Sequence, residues 1–439
     1  MKLIQIVLFF LLFATVAFFA YKKYSRIWKN IQRGRPLEAV DNVAQRLKNV
    51  VFLALGQKKM FQNWIPAVLH LFIYLAFVIT QIELIEIFID GAIGAHRVFA
   101  ATLGGLYTFI ISFIEVLSLL ALIATFIFLA RRNLLKVPRF HKAEMTGWPT
   151  LDGNLILYGE IWLVSCIFLM NGTDTVLQTM DPAHFPSTGF LAVSGWLGPA
   201  LFGGLSESVL KVLERVGWWG HLVGVLGFIL YLPHSKHLHI MLAFPNTYFA
   251  DLEPMGKMRH MQSITDEIKL MMDPSAEPPA EETEEIPSFG AADVEDLSQL
   301  QLLSAYSCTE CGRCTDACPA NQTGKLLSPR KIMMDVRDRM EEKFDNELEH
   351  GADHDDGKKL IDDYITKEEI YACTSCNACV QECPISINPL SIILELRRNK
   401  IMEQADSSEE WNLMFTNTEN NQAVWQFPPS DRDKWTKDL

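Results

Sequence analysis

Long runs of apolar residues dominate the first 250 residues of the chain, whereas residues 251–439 are acidic and hydrophilic. Five of these runs are close to or above the roughly 20 residues that an α-helix needs to cross a bilayer. They lie at about residues 3–20, 64–82, 102–130, 154–171 and 218–241. The pattern therefore predicts a transmembrane domain of five helices over residues 1–245.

The charges between the apolar runs predict how the helices are oriented. Basic residues follow the first run, from Lys22 to Arg35, and the third run, from Arg131 to Lys142, whereas an acidic segment follows the second. Lysine and arginine favour the cytoplasmic side, so the N-terminus is expected outside and the chain after the fifth helix inside. The same charges favour an uncleaved first helix over a signal peptide. We expect a multi-pass protein of the cytoplasmic (inner) membrane, in contact with membrane lipid.

The hydrophilic half divides into three parts by its pattern. Residues 246–290 combine an amphipathic stretch with the acidic, proline-rich segment DPSAEPPAEETEEIP, which has too few apolar residues to fold and is expected to be a linker. Residues 291–400 show helical periodicity around two cysteine blocks, which predicts a mainly helical domain. Residues 401–439 have little periodicity. Their tryptophans, Trp425 and Trp435, suit a docking segment, and a tail packed on its own domain is the alternative.

Charge and cysteine content exclude two classes of protein. The formal net charge is −13, and the hydrophilic half lacks the basic face that a phosphate backbone needs, so no nucleic-acid partner is expected. The closely spaced cysteines do not resemble the disulfide framework of a secreted protein. They indicate a reducing compartment, which agrees with the cytoplasmic position that the helix orientation predicts.

Two cysteine blocks give the most specific chemical signal in the sequence. CTECGRCTDACP, residues 308–319, returns as CTSCNACVQECP, residues 373–384, and the pair contains eight of the nine cysteines. In this spacing three cysteines hold one 4Fe–4S cluster, and the fourth, before a proline, ligates the cluster of the other block. The predicted ligand sets are Cys308, Cys311, Cys314 and Cys383 for one cluster, and Cys373, Cys376, Cys379 and Cys318 for the other. Zinc is the alternative, but zinc knuckles use two-plus-two ligation.

Three histidines in or beside the apolar runs predict haem. His70 lies in the second run and His221 in the fifth. These helices are antiparallel, so the two imidazoles can bind one haem b from opposite faces. His239 follows His221 by 18 residues, or five helical turns, where a second haem could use the same face. Met60, ten residues before His70, is a candidate partner because a thioether can be an axial ligand.

The apolar half resembles the haem b membrane subunits exemplified by the gamma subunit of respiratory nitrate reductase. The resemblance rests on the five-helix topology, on His70 and on the spacing of His221 and His239, and it covers about residues 1–245. It implies haem ligands on the second and fifth helices. That family has a histidine ten residues before the first ligand where this chain has Met60, which leaves the second haem open.

Residues 297–400 look like the α-helical ferredoxin module of succinate dehydrogenase iron–sulfur subunits and heterodisulfide-reductase-type proteins. The predicted fold class is mainly α, with a five-helix transmembrane haem-binding bundle followed by a cytoplasmic α-helical ferredoxin domain. The combination resembles iron–sulfur oxidoreductases related to heterodisulfide reductase and quinone reductases that accept electrons from electron-transfer flavoprotein. This resemblance implies electron transfer between the quinone/quinol pool and a cytoplasmic redox partner, such as a flavoprotein or an iron–sulfur subunit with a CCG domain. No CCG pair occurs in this sequence, so we expect a partner to carry out the substrate chemistry.

Two points stay open at the level of sequence. A membrane-tethered iron–sulfur redox sensor is the alternative function, although five helices with paired histidines are more than an anchor needs. Glu115 in the third run is a candidate for quinone protonation, and pairing with a lysine or arginine of the bundle is an equal alternative. No catalytic residue is assigned.

Overall fold

The computed structural model describes residues 2–37, 41–259, 261–273, 275, 289–352 and 354–437. These residues are mostly helical and contain no β-strand. Five helices are long and apolar enough to cross a membrane, which confirms that part of the predicted fold class. We call them apolar helices 1 to 5; their bounds are Lys2–Gln32, Trp64–Ile93, Gly105–Asn133, Trp148–Met180 and Glu207–Tyr231.

The remaining helices are shorter and are joined by 3₁₀ and π segments. Four accompany the apolar helices: Val43–Asn49, Ala100–Leu103, Ser194–Phe202 and His239–Phe249. An amphipathic helix, Gln262–Met272, follows, and most of the predicted acidic linker lies outside the described residues. The cysteine-rich part contains Gln299–Ser307, Arg313–Ala317, Pro319–Gln322, Pro329–His350, Lys367–Tyr371, Ala378–Glu382 and Pro389–Arg398, and Glu409–Asn421 lies in the tail.

Apolar helix 5 ends earlier than the apolar run that predicted it. Its last residue is Tyr231, and two 3₁₀ segments, Leu232–His234 and Lys236–Leu238, separate it from helix His239–Phe249. Pro233 explains the break, because proline lacks the backbone N–H that would continue the helix. His221 and His239 are therefore not related by five turns of one continuous helix.

Glycines bring apolar helices 4 and 5 close together. A Cβ atom added to Gly217 would lie 2.7 Å from the backbone N of Met170, and one added to Gly220 would lie 2.9 Å from Sγ of Cys166. Small residues at such positions let the backbones of membrane helices approach. Cys166 is accordingly a buried packing residue at this interface, away from the two cysteine blocks.

A continuous apolar core joins one end of the bundle to the cysteine-rich domain. It contains Ile27, Ile31 and Leu238 from the bundle side and Leu302 and Ile332 from the domain. Asn246 completes the contact: it accepts a hydrogen bond from Ser304 Oγ and donates one to the Ile385 carbonyl, both at 2.7 Å. The domain is thus packed against the bundle.

The two basic segments of the bundle lie at this same end. Arg26, which follows the first apolar run, pairs with Asp345 at 2.6 Å. The loop after apolar helix 3 contributes Glu144, which accepts a hydrogen bond from Arg330 at 2.6 Å and one from Ser328 Oγ at 2.7 Å. The basic segments and the cysteine-rich domain therefore share one side of the bundle, as the charge pattern predicts. That this side faces the cytoplasm stays a prediction.

The Glu144–Arg330 pair is expected to stabilise this docking strongly. Arg330 has a fully buried side chain and that of Glu144 is only 10% exposed. Glu144→Gln leaves the guanidinium without its counter-charge, which should lower the free energy of unfolding by roughly 3 to 5 kcal/mol. Thermal or urea unfolding followed by helix content measures the change. Glu253→Gln is the control, because Glu253 and Lys257 are both more than half exposed and their pair should contribute little.

The same pair predicts a loss of stability in acid. Burial by itself would raise the pKa of Glu144, but hydrogen bonds from Ser328 and Arg330 and the Arg330 charge hold the pKa below its usual value of 4.5. Because the folded-state pKa is lowered, the stabilisation is complete above pH 4.5 and is lost as the pH falls below that value. If acidification lowered the free energy of unfolding of wild type and of Glu144→Gln by the same amount, this assignment would be contradicted.

Candidate iron–sulfur and haem centres

The two cysteine blocks fold into the same local structure. Glu310 and Gly312 of the first block have φ angles of 52° and 75°, and Ser375 and Asn377, at the equivalent positions of the second, have 55° and 62°. A short helix begins directly after each second left-handed residue. Such turns direct backbone N–H groups inward, which suits an anionic iron–sulfur cluster. The Ser375 N–H already lies 3.4 Å from Cys373 Sγ.

The eight cysteines of the blocks fall into two groups of four in space. Cys383 from the second block is an electrostatic neighbour of the first three cysteines of the first block, and Cys318 is a neighbour of Cys373 and Cys379 in the second. The second group lines one cleft. Cys314 is also in range of Cys379, so the groups adjoin. The structure thus brings together the two crossed sets that the spacing predicts.

The chemistry of each set fits a cluster. Among the described residues, no three histidine, cysteine, aspartate or glutamate side chains converge closely enough to hold a single metal ion. Four cysteine thiolates are the ligand set of a 4Fe–4S cluster. Burial raises the pKa of Cys308 and Cys379 to about 12, so the thiols are neutral without iron. Cluster binding must then release protons.

The two sets have different surroundings. The set with Cys308 faces the bundle: Ser307 Oγ lies 3.3 Å from the Leu242 carbonyl, and Arg313 donates to the Lys59 carbonyl at 3.3 Å. The set with Cys376 lies nearer the surface, because that side chain is exposed. A path from the surface to the bundle would therefore pass the second set before the first.

The three predicted haem ligands share one feature, a fixed ring orientation. Nδ1 of each lies 3.1 to 3.2 Å from an oxygen atom: Gln57 Oε1 for His70, the Leu163 carbonyl for His221 and the Lys236 carbonyl for His239. No partner of any Nε2 is found within the described part of the chain. Metal-bound histidines typically use one nitrogen for such a support and the other for the metal. Each of the three imidazoles could therefore bind a metal ion through Nε2.

The structure groups His70 with His239 rather than with His221. His70 is in electrostatic range of His239, of His237 and of Arg313 from the first cysteine block. His237 and His239 are in edge contact, with ring centroids 5.2 Å apart. Burial lowers the pKa of both His237 and His239, which favours the neutral imidazole that a metal ion requires. His221 is not among the groups in electrostatic range of His70.

Some site residues gave no signal in the sequence. Gln57, which orients His70, is buried with a φ of 50° just before a 3₁₀ segment, Lys58–Gln62, that also contains Met60. Arg313 lies inside the first cysteine block, yet nothing in its spacing indicates that it faces His70. Such roles depend on the contact between bundle and domain.

Glu115 and the tail have structural contacts of their own. Glu115 Oε2 accepts hydrogen bonds from the backbone N–H groups of Val193 and Ser194 at 2.8 and 3.0 Å, at the start of helix Ser194–Phe202. The tail packs Trp411 against Tyr371, with ring centroids 5.3 Å apart, while Trp425 and Trp435 are exposed. The tail thus combines a packed part with exposed aromatic residues.

Comparison with known proteins identifies the chemistry of the cysteine blocks. Residues 304–387 match the 4Fe-4S dicluster domain family. The chain is 28% identical to a probable iron–sulfur-binding oxidoreductase, FadF, of Bacillus subtilis, over 92% of this chain and 57% of that protein. It is 26% identical to an EtfAB:quinone oxidoreductase of Syntrophomonas wolfei, over 96% of this chain and 58% of that protein. The chain therefore spans a little over half the length of these relatives.

The name of a third relative refers to a membrane. A probable membrane-anchored ferredoxin of Chromohalobacter salexigens is 29% identical over 33% of this chain and 23% of that protein. No solved structure matches the chain. The protein contains a 4Fe–4S dicluster domain, is similar to iron–sulfur oxidoreductases, and has five helices that indicate membrane association.

Proposed function

We propose that this protein passes electrons between a cytoplasmic redox partner and the quinone pool of the inner membrane, through two 4Fe–4S clusters and haem b. The observation that carries the proposal is the meeting of the two candidate centres at one end of the bundle. Arg313 lies between two cysteines of the first set and is in electrostatic range of His70. It also donates a hydrogen bond to the carbonyl of Lys59, in the segment that precedes His70. An anchor alone would not need this contact.

The ligand sets follow from the groupings in space. One cluster is assigned to Cys308, Cys311, Cys314 and Cys383, and the other to Cys373, Cys376, Cys379 and Cys318. His70 and His239 would hold haem b, and His221 keeps an Nε2 available for a second haem. When bound, the two clusters and the haem would each carry one electron at a time. The chain itself supports the imidazoles through Gln57 and Lys236 and shields the first set between bundle and domain.

The names of the relatives support the two ends of this path. The Syntrophomonas wolfei relative is named as an oxidoreductase of EtfAB and quinone. The exposed position of Cys376 offers a place where a flavoprotein or an iron–sulfur subunit could exchange electrons. The apolar helices place the other end in the lipid phase, where quinone dissolves.

A reduced-minus-oxidised visible spectrum of the detergent-purified protein tests the function. Dithionite should produce the α-band of haem b, and a menaquinol analogue added to the air-oxidised protein should produce the same band. A brown protein whose iron–sulfur absorbance is accompanied by no haem band would overturn the haem assignment. A tethered iron–sulfur sensor would then be the better account.

A further inference from the structure

The half of the bundle remote from the cysteine-rich domain contains an excess of buried carboxylates. Glu83 lies 13 residues beyond His70 on apolar helix 2, about 20 Å along the axis. The carboxylates around this level are at most 6% exposed: Glu83, Glu86, Asp90, Glu115, Asp174 and Glu214. The facing cations are the buried Arg97 and the partly exposed Arg215, with His96 between Asp174 and Glu214. Six ionised acids would leave at least three uncompensated charges.

Five of the six acids are well supplied with donors, as anions are. The donors are Phe99 N and Tyr107 Oη for Glu86, Arg97 N and Val98 N for Asp90, Val193 N and Ser194 N for Glu115, His96 and Gln178 for Asp174, and Nε and Nη2 of Arg215 for Glu214. Hydrogen bonds of this kind stabilise the charged form of a carboxylate. A bound proton is therefore not expected on these five.

Glu83 differs from the others. It is 2% exposed, its Oε1 has one long contact with Arg97 at 3.4 Å, and the Asn171 amide lies beside it, but its Oε2 has no hydrogen-bond partner within the described residues. Arg97 also bonds to Tyr107 and Asn171 and pairs with Asp174 at 3.5 Å, so its charge is shared. An ionised carboxylate with an unpartnered buried oxygen is costly, whereas the neutral acid avoids this cost.

The neighbours of Glu83 strengthen this argument. Glu86 on its own helix and Glu115 on apolar helix 3 are both in electrostatic range of Glu83 and repel a further negative charge. Two more buried side-chain oxygens, Ser118 Oγ and Ser194 Oγ, lack hydrogen-bond partners within the described residues. Ser118 lies one turn from Glu115, and the backbone N–H of Ser194 donates a hydrogen bond to Glu115. The surroundings are thus polar and carry excess negative charge around Glu115.

We propose that Glu83 is a proton-binding site inside the bundle, occupied in the resting protein. The ligand is one proton on the carboxyl group, and binding it lowers the number of uncompensated negative charges at this level by one. Under the proposed function, reduction of a quinone takes two electrons and two protons, and the Glu83 O–H can supply one of these protons. Quinol oxidation returns it by the reverse transfer.

Infrared difference spectroscopy of the full-length, air-oxidised protein without quinone tests the site. The wild-type minus Glu83→Gln spectrum should contain the carbonyl band of one protonated carboxylic acid, shifted in D₂O. The matched control, Glu86→Gln, should instead remove a carboxylate band. Loss of a carboxylate band in Glu83→Gln, in Na⁺ or in K⁺ buffer, would overturn the proposal and indicate an ionised or cation-bound Glu83.

Stability gives a second, independent readout. Glutamine has the shape and neutrality of a protonated glutamate, so Glu83→Gln should melt close to wild type, whereas Glu86→Gln should melt lower. A Glu83→Gln variant that fails to fold would contradict the proposal, because it would show that the charge was needed. Neither experiment uses quinone, so their outcome is separate from that of the proposed function.

Discussion

Replacing Cys383 with serine should remove the same cluster as replacing Cys308, although the two residues belong to different blocks. In the folded chain, Cys383 is in electrostatic range of Cys308, Cys311 and Cys314. Loss of one thiolate opens one corner of that cluster and should lower the iron content from about eight to about four atoms per chain. Iron analysis and the electron paramagnetic resonance spectrum of the dithionite-reduced protein measure this.

The matched variant is Cys318→Ser, the crossing ligand of the other set. Its remaining signal should be that of the first cluster, so the spectra of Cys318→Ser and Cys383→Ser should add to that of wild type. Cys166→Ser should keep both clusters, because Cys166 packs between apolar helices 4 and 5. Equal spectra for Cys383→Ser and Cys373→Ser would show that each block holds its own cluster.

The second large effect is expected at the histidines. His70→Ala and His239→Ala should each abolish the same haem b band, because the structure places these imidazoles together with their Nε2 atoms unpartnered within the described residues. The quinol-induced reduction of the protein should be lost with the haem. The visible spectrum and the pyridine haemochrome content of the purified variants provide the measurement.

Two further variants test the pairing. His221→Ala should retain the haem of His70, since His221 Nδ1 lies against the Leu163 carbonyl of apolar helix 4 and His221 is not among the groups in electrostatic range of His70. His184→Ala is the neutral control because His184 is an exposed loop residue paired with Asp181. If His221→Ala removed the same haem as His70→Ala, the pairing expected from the sequence would hold instead of the grouping in the structure.

The sequence by itself determined the features that depend on short stretches of chain. Hydropathy located five candidate spans because crossing a bilayer requires about 20 apolar residues in succession. The spacing of Cys308, Cys311 and Cys314, repeated from Cys373, indicated iron–sulfur chemistry because one loop can wrap only part of a cube. The basic residues that follow the first and third apolar runs indicated that both segments lie on the same side of the bundle, because lysine and arginine favour one side of a membrane.

Only the tertiary structure decided which distant groups meet. Pro233 ends apolar helix 5 and lets the following chain bring His239 to His70, which a count of 18 residues along an ideal helix does not reveal. Gln57 supports His70, and Glu115 binds the start of helix Ser194–Phe202, although neither lies in a motif. Glu83 stands out because it lacks the donors that the other acids have. Hydrogen-bond partners depend on packing between segments far apart in the chain, whereas periodicity and spacing describe neighbours along it.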